Sequence, residues 1–166
     1  MKIRIRKTLE NAILPVSHKG GCWLDTYVAR IGCVDIDALE SDRPFSFDEI
    51  MWYPDGLTYT EGDVIVIDMG FAMELPEGKE GYLLPRSSTF KNTGLMLTNS
   101  QGIIDTNYCG DSDSWLGMLY ATREGHIDIH DRLLQMRIQD AMETVEFEEV
   151  EHLGNENRSG YGSTGR

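Results

Sequence analysis

Residues 2–8, KIRIRKT, alternate strictly between polar and apolar side chains, which is the period of a strand with one wet face. Similar short runs follow at GCVDIDAL (32–39), TYTEGDVIVIDMGFAMEL (58–75), GYLLP (81–85), WLGMLYAT (115–122) and LLQMRIQ (133–139). PDG (54–56), EGD (61–63), PEGKEG (76–81) and NSQG (99–102) separate them with turn chemistry. Many short strands at close spacing predict an all-β sandwich, barrel or jelly roll. RSSTFKNTG (86–94) is the one helical candidate, with Ser87 or Ser88 as the N-cap and Gly94 as the stop. The run from 130 to 152 nearly fits one long helix. TVEFEEVEH alternates too regularly for that, so the pattern predicts a strand over 132–139 and a second over 144–150.

A chain of 166 residues fits one domain, expected over 1–153, with a Gly/Ser-rich arm at 154–166 too poor in apolar groups to fold by itself. Lys and Arg total 15 against 28 Asp and Glu, a formal charge of -13, which argues against nucleic acid as a partner. Small anions remain open, because a few arginines, oriented amides and a cation create local positive potential. Cys22, Cys33 and Cys109 form no CxxC pair and imply neither a disulfide framework nor a zinc site. No signal-peptide run or membrane-length apolar stretch occurs, so the expected location is cytoplasmic, with no membrane partner.

No P-loop GxxxxGKS/T or dinucleotide-binding GxGxxG is present. His126 and His130 lie in HIDIH, which alternates as a strand does, and are read as solvated; His18 and Cys22 are assigned no site. In YLLPRSSTF, by contrast, Arg86, Ser87 and Ser88 follow an apolar strand at the start of a helical turn, where free N–H groups and two hydroxyls suit a phosphate. An ordinary capped helix with a surface Arg would read the same way. NSQGIIDTNYCG (99–110) offers a hairpin edge to a base, with Asp105 and Tyr108 beside it. The plain alternatives are an Asx turn at Asp105 and a core ring at Tyr108. The terminal RSGYGSTGR (158–166) is either a frayed end or a strap that closes on an anion.

GCVDIDA, PRSSTFKNTG, GIIDTNYCGD, DRLLQ and RSGYGSTGR, in that order, closely resemble the five motifs of the trimeric dUTPases, the deoxyuridine triphosphate nucleotidohydrolases. The resemblance implies a distorted jelly roll or β-barrel of the β-clip type with one short helix and a flexible C-terminal arm. It implies Mg²⁺-dependent hydrolysis of dUTP to dUMP and pyrophosphate in a homotrimer with shared sites. This activity limits uracil incorporation into DNA and supplies dUMP for dTMP synthesis.

Under the same resemblance Arg86, Ser87 and Ser88 take the phosphates, with Ser88 where glycine is more usual. Asp105 activates the attacking water, and Tyr108 packs on the deoxyribose and excludes a 2′-hydroxyl. The backbone of Gly102, Ile103 and Ile104 reads uracil, with Asn99 as a further contributor. Gln135 contacts phosphate, in a turn where His130 replaces the usual glycine before Asp131. Asp35 acts on the metal through water. Arg158, Gly162, Ser163 and Thr164 close on the γ-phosphate, and Tyr161 stacks over uracil.

The DSDSW-containing segment 109–115 is longer than the common family pattern and resembles one branch of it. Two rivals stay open. One is a dCTP deaminase-like or bifunctional enzyme; the other is a nucleotide-binding regulatory protein that acts through a protein partner.

Overall fold

The computed structural model describes residues 1–39, 42 and 46–157, so the expectations for Arg158, Tyr161, Gly162, Ser163 and Thr164 lie outside the described residues. The strands in chain order are β1 (Arg4–Lys7), β2 (Val16–Ser17), β3 (Leu24–Asp25), β4 (Arg30–Val34), β5 (Met51–Tyr53), β6 (Gly56–Tyr59) and β7 (Val64–Asp68). They continue with β8 (Phe71–Glu74), β9 (Lys79–Pro85), β10 (Leu95–Leu97), β11 (Gly102–Ile104), β12 (Leu116–Ala121), β13 (Gly125–Asp128) and β14 (Leu134–Asp140). One five-stranded sheet has the order β10-β12-β7-β4-β5, the other β11-β9-β14-β3-β2. Two-stranded pieces, β1-β8 and β13-β6, complete an all-β jelly-roll architecture.

The VIVID run explains why β7 is central. All five of its residues are buried, with Ile65 and Ile67 in the main core and Val64 and Val66 in a second cluster with Val34 and Ile50. A strand covered on both faces needs apolar residues at every position, hence the loss of alternation. The main core joins both large sheets through Ile31, Leu83, Leu119 and Leu134. Each such side chain contributes about 1.5–3 kcal/mol by leaving water. Trp115 is fully buried, and a Cβ on Gly81 would lie 2.5 Å from its ring, so only glycine fits beneath the indole.

Four expectations change in the structure. GCVDIDAL is extended only to Val34 and then forms a helical turn, α1 (Ile36–Leu39), in addition to the expected short helix α2 (Thr89–Thr93). The 58–75 run has the expected turn at EGD and a second, unexpected one around Gly70, so it forms three strands. Ser88 is the N-cap of α2 but makes no side-chain cap bond; the turn is tied instead by Thr89, whose hydroxyl donates to the Leu133 carbonyl at 2.5 Å. Gly94 does stop the helix, with φ 73 and its N–H on the Phe90 carbonyl. Finally, 144–150 is not a strand. The alternation is real, but a strand needs a neighbouring edge for its N–H and C=O groups, and none of the described residues supplies one. Phe147 is 92% exposed and Leu153 83%.

Candidate active site

Two polar centres flank β9. At its C-terminal end, Arg86 donates its backbone N–H to the Leu133 carbonyl (3.0 Å), which fixes the chain where β9 leaves β14. Its Nε donates to Asp25 Oδ1 at 2.9 Å, and Arg132 Nη1 donates to Asp25 Oδ2 at 3.1 Å. Asp25 lies opposite Gln135 in the β3–β14 pair, and Gln135 Nε2 donates to the Pro85 carbonyl at 3.1 Å. His18 adds its Nε2 at 3.2 Å from Tyr27 Oη and 3.7 Å from Asp25 Oδ2. One carboxylate thus holds two guanidiniums. Each guanidinium has five N–H donors, and Asp25 takes one from each. Ser87 is exposed and Ser88 half-buried beside them, above a groove of about 350 Å³ lined by Arg86, Ser88, Asn92 and Arg132. Asp131 lines the same groove, so two carboxylates offset the two guanidiniums, and the remaining N–H donors and hydroxyls form a cradle that suits phosphate oxygens.

At the other end of β9 stands the hairpin. Asn99 is exposed in the turn after β10, and Ser100 has φ 59, the left-handed conformation that tightens it. β11 pairs with β9 in the register Gly102↔Leu83, Ile103↔Tyr82, Ile104↔Gly81. Gly102 is buried against Leu83, while Ile103 is 62% exposed. Asp105 follows, exposed, its Oδ1 accepting the Asn107 N–H at 2.8 Å and its carbonyl the Tyr108 N–H at 3.3 Å. Both plain alternatives are therefore present: Asp105 does form an Asx turn, and Tyr108 does pack against the main core. Tyr108 Oη donates to the Ser114 carbonyl at 2.9 Å. Burial pushes this phenol's pKa up, and the charges of Asp113 and Asp68 push it further.

The structure brings Arg86, Ser87, Ser88 and Gln135 together, and separately Gly102, Ile103, Ile104, Asp105 and Tyr108. The near members meet across β9, where Gly102 pairs with Leu83 and Gln135 with Leu84, while the far members stand apart. Ile104 pairs with Gly81, and Arg86 lies five residues further along, roughly 17 Å at about 3.4 Å per residue. Asp35 reaches neither group within the chain; it follows β4 in the other large sheet, and its Oδ1 accepts the Asp37 N–H at 3.0 Å. Two carboxylates stand at the cradle: Asp131, within DRLLQ, lines the groove, and Asp25, which no motif flagged, holds both guanidiniums. Its pairing with Arg86 spans 61 positions, and a two-residue strand carries no period to betray it. Arg132 was visible only as part of DRLLQ.

His126 is exposed and bonds Thr58 and Asp128, whereas HIDIH is a strand only to Asp128: His130 lies in the following turn with φ 70, its Nε2 2.9 Å from the Asn11 carbonyl. Among the described residues no cluster of three or more His, Cys, Asp or Glu could hold a metal, and no helix is long and apolar enough to cross a membrane.

No family model matches the chain. The SPbeta prophage-derived deoxyuridine 5'-triphosphate nucleotidohydrolase of Bacillus subtilis is 50% identical over 100 residues, covering 60% of this chain and 70% of that protein. The deoxyuridine 5'-triphosphate nucleotidohydrolase of Heliobacterium modesticaldum is 35% identical across 99% of this chain and 97% of its own length. Among solved structures, a dUTPase variant of Staphylococcus bacteriophage 80alpha with dUpNHpp superposes with a TM-score of 0.68 at 18% identity, covering 99% of each chain. A variant of the phage phi11 dUTPase of S. aureus, described with a structural Mg(II) ion, gives 0.66 at 19% identity over 92% of this chain and 99% of that one. At these identities the two structures support the fold, and the sequence relatives carry the family: the chain belongs to the deoxyuridine 5'-triphosphate nucleotidohydrolases.

Proposed function

We propose that the protein is a dUTP diphosphatase that cleaves dUTP to dUMP and pyrophosphate. The observation that carries this reading is the pairing of a carboxylate-held arginine cradle with a hairpin that bears Asp105 and Tyr108, in a chain of this family. Arg86, Ser87, Ser88 and Gln135 bind the triphosphate. Backbone groups of Gly102, Ile103 and Ile104 meet the uracil edge, with Asn99 at the turn, and Tyr108 lies on the deoxyribose. Asp105 Oδ1 is engaged by its own turn. Oδ2 accepts the proton of a water whose oxygen attacks the α-phosphorus; the bond to the β-bridging oxygen breaks and pyrophosphate leaves.

The donor set fits a cation held chiefly by phosphate oxygens, the usual manner of Mg²⁺, since no carboxylate cage exists among the described residues. When bound, Mg²⁺ neutralises the triphosphate charge and fixes its geometry. Asp35 is retained only as a water-mediated contact from elsewhere in an assembly; within one chain Asp25 and Asp131 are the carboxylates at the phosphate end.

A general base must come within about 3 Å of the proton it takes, and Asp105 follows Ile104, whose β9 partner Gly81 lies roughly 17 Å along the strand from Arg86. This separation favours a homotrimer in which the hairpin of one copy faces the cradle of the next. The exposed alternation of 142–153 favours the same conclusion, because those apolar side chains need cover. Residues 154–166 form the arm that closes each site through Arg158, Tyr161, Gly162, Ser163 and Thr164, beyond a core domain of 1–153. The 109–115 segment marks a branch of the family.

The test is pyrophosphate release with Mg²⁺ from dUTP, UTP, dTTP and dCTP, for the intact chain and one truncated before Arg158. Turnover of dUTP alone, lost on truncation, is expected. No turnover of dUTP sinks the proposal, and ammonia from dCTP would replace it with a deaminase.

A further inference from the structure

Segment 109–115 has no part in the chemistry above, yet side-chain and backbone hydrogen bonds tie it down at both ends. Asp113 Oδ2 accepts the Gly110 N–H at 2.6 Å, and the Asp113 N–H returns to the Gly110 carbonyl at 3.1 Å. The Trp115 N–H donates to the Phe71 carbonyl (2.9 Å), and the Trp115 carbonyl accepts from Met69 (3.0 Å). Between these ties lies Ser114, itself buried, whose hydroxyl bonds the Asp68 carboxylate and lies 3.0 Å from the Thr8 hydroxyl. Asp68 is buried too, and accepts from the Gly70 N–H at 2.7 Å and Arg30 Nη2 at 2.8 Å. The guanidinium of Arg30 in turn lies 3.7 Å over the Trp52 ring. The Ser114 carbonyl is therefore fixed from several sides, and it is the acceptor of the Tyr108 phenol.

We infer that segment 109–115 is a buttress for nucleotide-sugar selection: Ser114, locked by Asp68, anchors the far end of the Tyr108 ring and so fixes the surface that rejects a 2′-hydroxyl. The inference rests on the reading of Tyr108 as the ring against the deoxyribose. Excluding one oxygen by contact alone demands a wall that does not yield, because about an ångström of play readmits the larger sugar. A ring held only through its Cβ can tilt; a ring held also at its hydroxyl cannot do so without breaking a half-buried hydrogen bond. Asp68 and Ser114 act through Tyr108 and are positioning residues.

The experiment compares kcat/KM for UTP and for dUTP in the full chain and its variants, with Tm recorded for each. Tyr108→Phe keeps the ring and removes the anchor; the UTP-to-dUTP ratio is expected to rise about fivefold, the equivalent of one net neutral hydrogen bond. Ser114→Ala, which frees the carbonyl from Asp68 and Thr8, is expected to raise it in the same direction by less. Ile127→Val, in the core on β13, lowers Tm and leaves the ratio unchanged, which separates selectivity from stability. An unchanged ratio in Tyr108→Phe and Ser114→Ala overturns the buttress. Tyr108→Ala separates the two readings: a raised ratio there with none in Tyr108→Phe removes only the anchor, whereas no rise even in Tyr108→Ala removes the ribose contact and the buttress with it.

Discussion

The two ends of β9 are built in opposite ways. The cradle end is braced by side chains: Asp25 forks onto Arg86 and Arg132, and Gln135 ties back to the Pro85 carbonyl. The hairpin end presents Asp105 in the open, held by a local turn through Asn107 and Tyr108. Phosphate binding gains from charges fixed in advance, because ordering two arginines at the moment of binding costs affinity. A general base needs the reverse, an accessible oxygen that acquires its partner only when water and substrate arrive. Under the proposed function, the contrast would divide the labour as binding at one end and proton transfer at the other.

The largest expected effect breaks the hairpin end. Asp105→Asn should lower kcat for dUTP by about 10²–10⁴-fold, the range typical of a lost general base. Because the side chain is exposed, Tm should stay nearly unchanged and dUTP binding, measured by calorimetry, should persist. The cradle should fail differently. Asp25→Ala leaves two guanidiniums without their shared carboxylate, so KM for dUTP is expected to rise about tenfold or more while kcat falls less. It should also cost stability of about 1–3 kcal/mol, read by urea denaturation. If Asp25→Ala instead cut kcat with KM unchanged, the division of labour would be wrong.

Mixing the two defects sharpens the comparison further. Co-refolded Asp105→Asn and Arg86→Ala chains should regain about a quarter of wild-type activity if each site draws its base from one copy and its cradle from another, as random cyclic assembly requires. Sites contained in one chain would regain nothing.

The smallest effect concerns pH. Burial first, then Asp113 and Asp68, raises the Tyr108 pKa above its ordinary value near 10. The folded state therefore prefers the neutral phenol. The associated stability is present below about pH 10 and is lost as pH rises through the higher folded value. Tyr108→Phe should flatten that alkaline loss in a series of thermal melts, by a small amount.

Most of what the sequence could reveal lay in periodicity and in contiguous motifs. The alternation of KIRIRKT and LLQMRIQ marked β1 and β14, and PRSSTF placed Arg86 at a strand end before a helix. What escaped were relations between distant positions. Asp25 sits in a two-residue strand, too short to show a period, and its partners lie 61 and 107 positions away. Asp35 follows β4 in the other large sheet, so any role at the cradle would rest on an assembly that one chain's periodicity does not describe. The stretch 144–150 misled for another reason: alternation states what a segment can pair with, not whether an edge is on offer. Ser88 had the right residue type for a cap, but its backbone is already helical (φ -93, ψ -9), whereas a residue whose side chain caps the turn is extended.

If the proposed sites are shared between copies, β9 does work at both ends of one strand, and this bears on how mixed assemblies fail. In a ring of shared sites, each copy takes part in two reactions, lending its hairpin to one neighbour and its cradle to the other. A chain damaged only at Asp105 silences one site and still serves the next. A chain that folds and assembles but is damaged at both ends silences two. Mixed with intact chains, a variant spoiled at one end of this strand would then cost fewer sites than one spoiled at both.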